Sequence, residues 1–199
     1  DAYIQSHLSE NLNEIKWVKS LFPELPNYTS VYNHFGLLSP KTIMAHCIHL
    51  TEDEILLLKD TGCKVAHCPD SNFFLKSGVF PFKTLYDRNI KFGLATDVAA
   101  GTNLSMFNVM KMAIYMQDKN VVDPKYAFYI STLGNAELLG KGKLIGSVEA
   151  GKDADLSFWT VPDIVSKESD EILSELIFTE LGNRASKVWI AGKELYSSN

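Results

Sequence analysis

The sequence lacks the features of several broad protein classes. Its three cysteines, Cys47, Cys63 and Cys68, are too few for a disulfide framework, and their odd number indicates a reducing compartment. No apolar run approaches the ~20 residues that span a bilayer, and no signal peptide is expected. The net charge is −5 and the basic residues form no stripe, which disfavours nucleic-acid binding. We therefore expect a cytoplasmic globular protein with no membrane or nucleic-acid partner.

Several catalytic signatures are also missing. A G-x-S-x-G nucleophile elbow does not occur, which argues against a serine hydrolase. Cys68 precedes Pro69, but no second cysteine follows at the spacing of the cytidine-deaminase zinc signature. The stretch "GNAELLGKGK" lacks both the spacing and the Ser/Thr of a phosphate-binding P-loop. Any catalytic site must therefore be built differently.

What the sequence does contain is an alternation of apolar runs and amphipathic segments. After Ser9, a predicted cap, the apolar residues that recur at helical spacing are Leu12, Ile15, Val18 and Phe22. Thr51 and Glu54 have the spacing of a capping box, and Gly62 ends the helix that they open. Further helices are predicted near "PFKTLYDR" and over "SMFNVMKMAIYMQ", and strands in "KTIMAHCIHL", "CKVAHCP" and "IKFGLATD". This order predicts parallel βα units and an α/β fold.

The pattern changes after about residue 140. Short strands joined by Gly- and Asp-containing turns are predicted in "LIGSVEAGKDADLSFWTV" and "ASKVWIAGKELY", with the acidic stretch "SKESDEILSEL" between them. We therefore predict a βα part over residues 1–140, and over residues 141–199 the end of that part followed by a small β-rich segment.

Each strand predicted in the βα part, and the short extended lead-in "AYIQSH", ends in a side chain that can take part in chemistry. These residues are His7 after "AYIQS", His46 after "TIMA", His67 after "CKVA" and Asp97 after "KFGLAT". In an α/β barrel, the carboxyl ends of the strands carry the active site. Taken singly, each has a structural explanation: His67 can anchor a tight turn, and Asp97 can be a turn residue. His34 and His49 lie at no strand end and are predicted on the surface or in loops.

Taken together, these residues fit a metal-dependent hydrolytic site. Neutral imidazoles and carboxylates suit a divalent metal such as zinc. Glu10 can complement the dipole of the first helix, but a carboxylate beside a water nucleophile can also carry protons. A second histidine can orient that water or polarise the substrate. His7, Glu10, His46 and Asp97 can fill these roles.

Four blocks of the sequence extend this interpretation. "HLSEN", "MAHC", "HCPDSN" and "GLATDVAAG" resemble, in order and approximate spacing, motifs of the amidohydrolase superfamily, and within it the guanine deaminase family. The resemblance extends from about residue 4 to the end, because "GSVEAGKDADL" is similar to the segment that returns to the small β-domain. It implies the second half of a metal-dependent (β/α)8 barrel, strands five to eight, plus part of a small β-sandwich domain. Ala95 and Ala100 stand where the family often has glycine.

The resemblance also implies a role for each site residue. His7 and Asp97 would bind zinc, and Asp97 would help to deprotonate the attacking water. Glu10 would carry a proton from that water to the purine, and His46 would hydrogen-bond the water or the substrate. His67 and Asn72 would support the site. The implied reaction is hydrolytic deamination of guanine to xanthine and ammonia, with another purine or a pterin ring as the alternative.

One element of the family's metal site is absent, the H-x-H pair of the first barrel strand. A complete (β/α)8 barrel takes ~250 residues, so we expect this chain to be the C-terminal half. A separate or cleaved polypeptide, a second copy, or the rest of a longer chain would supply the missing half. We expect a homodimer when the enzyme is complete, and little or no deaminase activity from this half alone. A non-catalytic remnant that serves as a binding or assembly module remains an alternative.

Overall fold

A computed structural model describes residues 2–118, 121–161, 168–179 and 184–198. The chain divides into two compact units at residue 102. The elements of the first unit are β1 (Ile4–Leu8), α1 (Leu12–Leu21), α2 (Tyr28–His34), β2 (Thr42–His46), α3 (Glu52–Thr61), β3 (Lys64–His67), α4 (Pro69–Phe74), α5 (Phe82–Asp87) and β4 (Phe92–Leu94). The α/β character predicted for this part is therefore confirmed.

The four strands of the first unit form one parallel sheet in the order β1-β2-β3-β4. The register places His7 beside Ala45, and Ala45 beside Ala66. All four strands run in the same direction, so their carboxyl ends lie along one edge. Three of the predicted polar residues, His7, His46 and His67, lie at or next to the last residue of a strand, whereas Asp97 lies three residues beyond the end of β4.

Helix α1 is capped by a different residue from the predicted one. Its N-cap is Asn11, whose side chain accepts from the backbone of Glu14 while the Glu14 carboxylate returns to the helix start. Ser9 is instead completely buried at a φ of +50° between β1 and this cap. The expectation for α3 is confirmed: Thr51 and Glu54 form a capping box, and Gly62 ends the helix in the left-handed conformation.

The second unit combines helices with a small antiparallel sheet. Its described elements are α6 (Met106–Tyr115), α7 (Pro124–Ser131), α8 (Leu133–Leu138), β5 (Leu156–Phe158), α9 (Ser169–Phe178), β6 (Lys187–Ile190) and β7 (Lys193–Ser197). The sheet order is β5-β6-β7. The predicted helix over this stretch is confirmed as α6, which buries Phe107, Val109, Met110 and Ala113 in the core of the unit.

The acidic stretch between the predicted strands, for which the sequence predicted no element, is largely helical. Residues Ser169–Phe178 form helix α9, because Ile172, Leu176 and Ile177 repeat at helical spacing among the acidic residues and Ile177 is buried. Residues 166 and 167 of that stretch lie outside the described residues. The predicted boundary between residues 140 and 141 separates a barrel part from a β-domain, which is a different division from the two compact units seen here. It therefore stays a prediction. Within the described ranges, no helix has the length and apolar character to cross a membrane.

A buried carboxylate joins the starts of α2 and α3. Glu54 is 3% exposed, and its two oxygens accept hydrogen bonds from the backbone N–H and hydroxyl of Thr29 and of Thr51. Removing one partner of such a group leaves buried donors without acceptors, which is more costly than losing an exposed bond.

We therefore expect Glu54→Ala to lower the free energy of unfolding of the complete protein by about 3 kcal/mol. The matched control is Glu52→Ala in the same helical turn, because Glu52 is half exposed and its ion-pair partner Arg88 is exposed as well. Its cost should stay below about 1 kcal/mol. Denaturant unfolding of both variants measures the difference, and equal losses would contradict the structural role of Glu54.

Candidate active site

The loops that follow β1 and β2 are joined by backbone hydrogen bonds. The Cys47 N–H donates to the Leu8 carbonyl at 2.9 Å. The N–H groups of Ile48 and His49 both donate to the Ser9 carbonyl, at 3.1 and 3.0 Å. These bonds continue the sheet pairing past the strand ends, and they hold Glu10 next to His46.

Four of the predicted residues meet at this edge of the sheet. His7, His46 and Asp97 each offer a ligand atom, and these atoms all lie within 4.8 Å of one another. The rings of His7 and His46 are stacked, with 5.3 Å between their centroids. His46 Nε2 lies 3.7 Å from Glu10 Oε2 and 3.9 Å from Asp97 Oδ2, so this nitrogen stands between two carboxylates.

Asn72 controls the orientation of His46. His46 is 1% exposed, and its Nδ1 lies 2.8 Å from Asn72 Oδ1. An amide oxygen can only accept a hydrogen bond, so His46 Nδ1 carries the hydrogen of this bond. In the neutral ring, Nε2 then has a free lone pair, which points towards the carboxylates of Glu10 and Asp97. The expected supporting position of Asn72 thus corresponds to a direct contact with a site residue.

Asp97 lies in a tight turn whose backbone is held in place. Its φ is +50°, and its carbonyl accepts from the N–H groups of Ala100 and Gly101. A Cβ at Gly101 would meet the Thr96 carbonyl oxygen at 2.0 Å, so this position requires glycine. Asp70, 5% exposed, accepts from the Thr102 hydroxyl at 2.8 Å and fastens the end of the turn to α4.

Positive φ values are concentrated at this edge of the sheet. Five of the eight described non-glycine residues with positive φ lie at the end of β2 or in the loops that follow β1, β2 and β4: Ser9, His46, Cys47, Asp97 and Ala99. Side chains with a Cβ adopt this conformation rarely, and such strain is typical of functional sites. It persists here because the hydrogen bonds between the loops hold the backbone in place.

Sequence reasoning missed several residues that hold the site together. Asp70, Thr102 and Ser77 carried no pattern that singled them out, because their partners are distant in sequence. His49 was predicted on the surface or in a loop; it lies half-buried in a loop, and its Nε2 is 2.8 Å from the Ser77 carbonyl oxygen. His34 is exposed at the end of α2.

His67 lies apart from the metal-ligand cluster. Its ring stacks on Phe80 with 4.0 Å between centroids and meets Phe82 edge to face. It does not anchor a tight turn, because α4 follows it and neither ring nitrogen has a hydrogen-bond partner among the described residues. Burial and the nearby His46 lower the pKa of His67 from 6.5 to about 3.

The cluster of ligand atoms has the chemistry that a divalent metal requires. Two imidazoles and a carboxylate are the usual zinc ligands, and each bonds the ion at about 2 Å. The ligand atoms of His7 and Asp97 lie within 4.8 Å of each other, close to the separation of two ligands that share one ion. The described residues therefore fit a divalent metal. If His46 contacts the water or the substrate instead of the metal, His7 and Asp97 are two ligands, fewer than the three or four of a typical zinc site.

The comparison with protein families agrees with this geometry. Residues 1–195 match the model of the amidohydrolase family, so the chain belongs to that family. Among curated relatives, it is 34% identical over 214 residues to the guanine deaminase of Rattus norvegicus, covering 98% of this chain and 47% of the relative.

Solved structures of guanine deaminases are also similar. The E. coli enzyme superposes with a TM-score of 0.94 at 32% identity, over 100% of this chain and 48% of that one. The C. acetobutylicum enzyme, solved with bound guanine in the active site, has a TM-score of 0.85 at 33% identity, over 96% of this chain and 48% of that one. The chain spans about half the length of these proteins or less, 36% in some relatives.

The buried, neutral His67 makes stability sensitive to acid. In the unfolded chain this histidine takes up a proton below pH 6.5, whereas in the fold it stays neutral down to about pH 3. Stability is therefore lost as the pH falls from 6.5 towards 3, by about 2 kcal/mol on reaching pH 5.

We expect His67→Phe to abolish the part of the acid-induced loss of stability that comes from this histidine. Unfolding midpoints of the complete protein at pH 7.5 and pH 5.0 measure it, with His34→Asn at an exposed histidine as the control. A decline of equal size in wild type and His67→Phe would show that the acid sensitivity comes from elsewhere.

Proposed function

We propose that this chain forms the second half of a zinc-dependent guanine deaminase, which converts guanine and water to xanthine and ammonia. The observation that carries the proposal is the convergence of His7, Glu10, His46 and Asp97 at one edge of a parallel sheet. Similarity to guanine deaminases over nearly the whole chain supports it. The relatives' activity is a property of proteins about twice as long.

The finer architecture belongs to the same proposal. In it, β1 to β4 are strands five to eight of a (β/α)8 barrel, and the β5-β6-β7 sheet is part of the small β-sandwich domain, with the division at residues 140 and 141. The remaining strands and metal ligands come from the rest of the enzyme. On the family resemblance alone, we propose that the complete enzyme is a cytoplasmic homodimer.

We assign the metal to His7 and Asp97. A bound divalent cation such as zinc supplies a water nucleophile near neutral pH and polarises the reacting bond. His7 lies on β1 and Asp97 on the loop after β4, at opposite ends of the sheet order, so a shared ion would join the two edges of the unit.

The proposed chemistry of the chain itself centres on Glu10 and His46. Glu10 Oε2 accepts a proton from the attacking water as its oxygen bonds to the ring carbon that bears the exocyclic amine. Glu10 then gives that proton to the purine. His46 Nε2, oriented by Asn72, hydrogen-bonds the water or the substrate beside both carboxylates. The hydroxyl formed on that carbon then gives its own proton to the Asp97 carboxylate, which passes it to the exocyclic amine. The carbon–nitrogen bond breaks, ammonia leaves, the oxygen stays as a carbonyl and the ring becomes xanthine.

The first test is turnover of guanine by the complete enzyme, measured as ammonia release. Glu10→Gln removes the proton carrier but keeps the shape of the side chain, so we expect kcat to fall about 10²–10⁴-fold. This chain alone should show little or no turnover, because His7 and Asp97 are fewer ligands than the three or four that hold a zinc ion. Glu24→Gln, at an acid outside the site-bearing loops, is the control.

A panel of purines and pterins tests the substrate. Rapid deamination of another ring, with no turnover of guanine, would contradict guanine as the substrate. It would still support deamination as the reaction. A complete, metal-loaded enzyme that deaminates none of them would favour a non-catalytic role.

A second test separates ligands from the other histidine. We expect His7→Ala to lose most of its zinc, because a proposed ligand is removed. His46→Asn should keep zinc close to one per complete site and lose activity. The zinc content of the purified variants distinguishes these roles. Equal zinc loss in both variants would show that His46 is a metal ligand and would contradict its assigned role.

A further inference from the structure

The turn after α4 reaches back to the first loop of the sheet. Ser77 is 8% exposed, and its hydroxyl donates to Glu10 Oε1 at 2.8 Å, although the two residues are 67 positions apart. A carboxylate only accepts hydrogen bonds, so the direction of this bond is unambiguous. Ser77 is therefore a direct partner of the proposed proton carrier.

The two oxygens of Glu10 have different surroundings. Oε1 is occupied by the Ser77 hydroxyl, whereas Oε2 lies 3.7 Å from His46 Nε2 on the side of the metal-ligand cluster. The carboxylate therefore cannot exchange its oxygens by rotation without breaking the Ser77 bond. One oxygen is held, and the other faces the place where the reaction occurs.

The backbone around Ser77 is itself fixed. Its N–H donates to the Asn72 carbonyl at 2.9 Å, and its own carbonyl is 2.8 Å from His49 Nε2. Gly78 has a φ of +140°, and a Cβ there would meet Ile48 Cγ2 at 2.9 Å. The turn thus packs closely against the loop that follows β2, and the Ser77 hydroxyl is directed at Glu10.

We propose that Ser77 is a positioning residue that holds Glu10 Oε1 so that Oε2 alone exchanges protons. In the forward step, the attacking water loses a proton to Oε2 and its oxygen bonds to the ring carbon. The same oxygen returns that proton to the purine, and the carboxylate is regenerated. This inference rests on the proposed deaminase function, because it assigns the proton transfer to Glu10.

The test uses the complete enzyme with three single variants. Without the Ser77 bond, the Glu10 carboxylate rotates freely, and misplacement of a reacting group lowers the rate steeply. We expect Ser77→Ala to lower kcat about 10- to 100-fold with KM changed less than about threefold. Ser77→Thr keeps the hydroxyl and should restore most of kcat. Ser30→Ala, which removes a serine hydroxyl bonded to Asn27, should leave both constants unchanged.

A double variant separates positioning from general support of the fold. In a Glu10→Gln background, Ser77→Ala should lower the residual kcat less than about twofold, because the group through which Ser77 acts is already replaced. A loss as large as in the wild-type background would overturn the proposal and make Ser77 a structural tie. Loss of kcat in Ser77→Thr equal to that in Ser77→Ala would overturn it as well.

A crystal structure of the Ser77→Ala enzyme gives a readout that does not depend on turnover. We expect the Glu10 carboxylate to leave its position or become disordered, with His7, His46 and Asp97 unmoved. An unchanged, ordered Glu10 would overturn the positioning role. If the wild-type enzyme fails to deaminate guanine, the proposed function fails, and the crystal structure alone then decides the role of Ser77.

Discussion

Parallel pairing of β1 to β4 is the constraint on which the rest of the site depends. Parallel strands that share a register end at the same edge, so the residue after each strand is delivered to one place. His7 beside Ala45, and Leu8 beside His46, set this register. A slip of one residue would turn every side chain to the other face and separate the histidines. The convergence of these side chains at the edge is therefore a consequence of strand pairing.

A single segment without a proposed metal ligand connects this edge. Residues 69–78, which form α4 and the turn after it, touch three different parts of the site. Asn72 contacts His46, Asp70 fastens the turn that begins at Asp97, and Ser77 holds Glu10. Because these contacts come from one short rigid segment, the relative positions of residues from β1, β2 and the loop after β4 are coupled. The segment acts as a common support for otherwise separate loops.

The distribution of buried polar groups follows the same logic. Buried carboxylates are costly unless their oxygens are bonded, and Glu54 and Asp70 both accept several hydrogen bonds. His67 is a contrasting case, since it is buried against Phe80 and Phe82 and stays neutral. Glu10 and Asp97 keep part of their surface accessible, which suits the proton transfer and metal binding proposed for them.

Patterns among neighbouring residues were sufficient to predict the strands of the first unit and the capping box of α3. They also singled out His7, Glu10, His46 and Asp97, because strand ends and helix caps depend on residues close in sequence. The N-cap of α1 was misplaced by two residues, since Ser9 and Asn11 are both good caps and only the buried loop decides between them. Helix α9 was not predicted, because the many acidic residues between its apolar positions made the helical spacing hard to recognise.

The sequence by itself determined the α/β character of the first unit, the family and the set of polar residues at the strand ends. Only the tertiary structure decided which nitrogen of His46 faces the site, which oxygen of Glu10 is held, and that Asp70 and Ser77 matter. The reason is distance along the chain: Ser77 and Glu10 are 67 positions apart, and Asp70 and Thr102 are 32 apart. No local pattern encodes such pairs, because they exist only after the strands have paired.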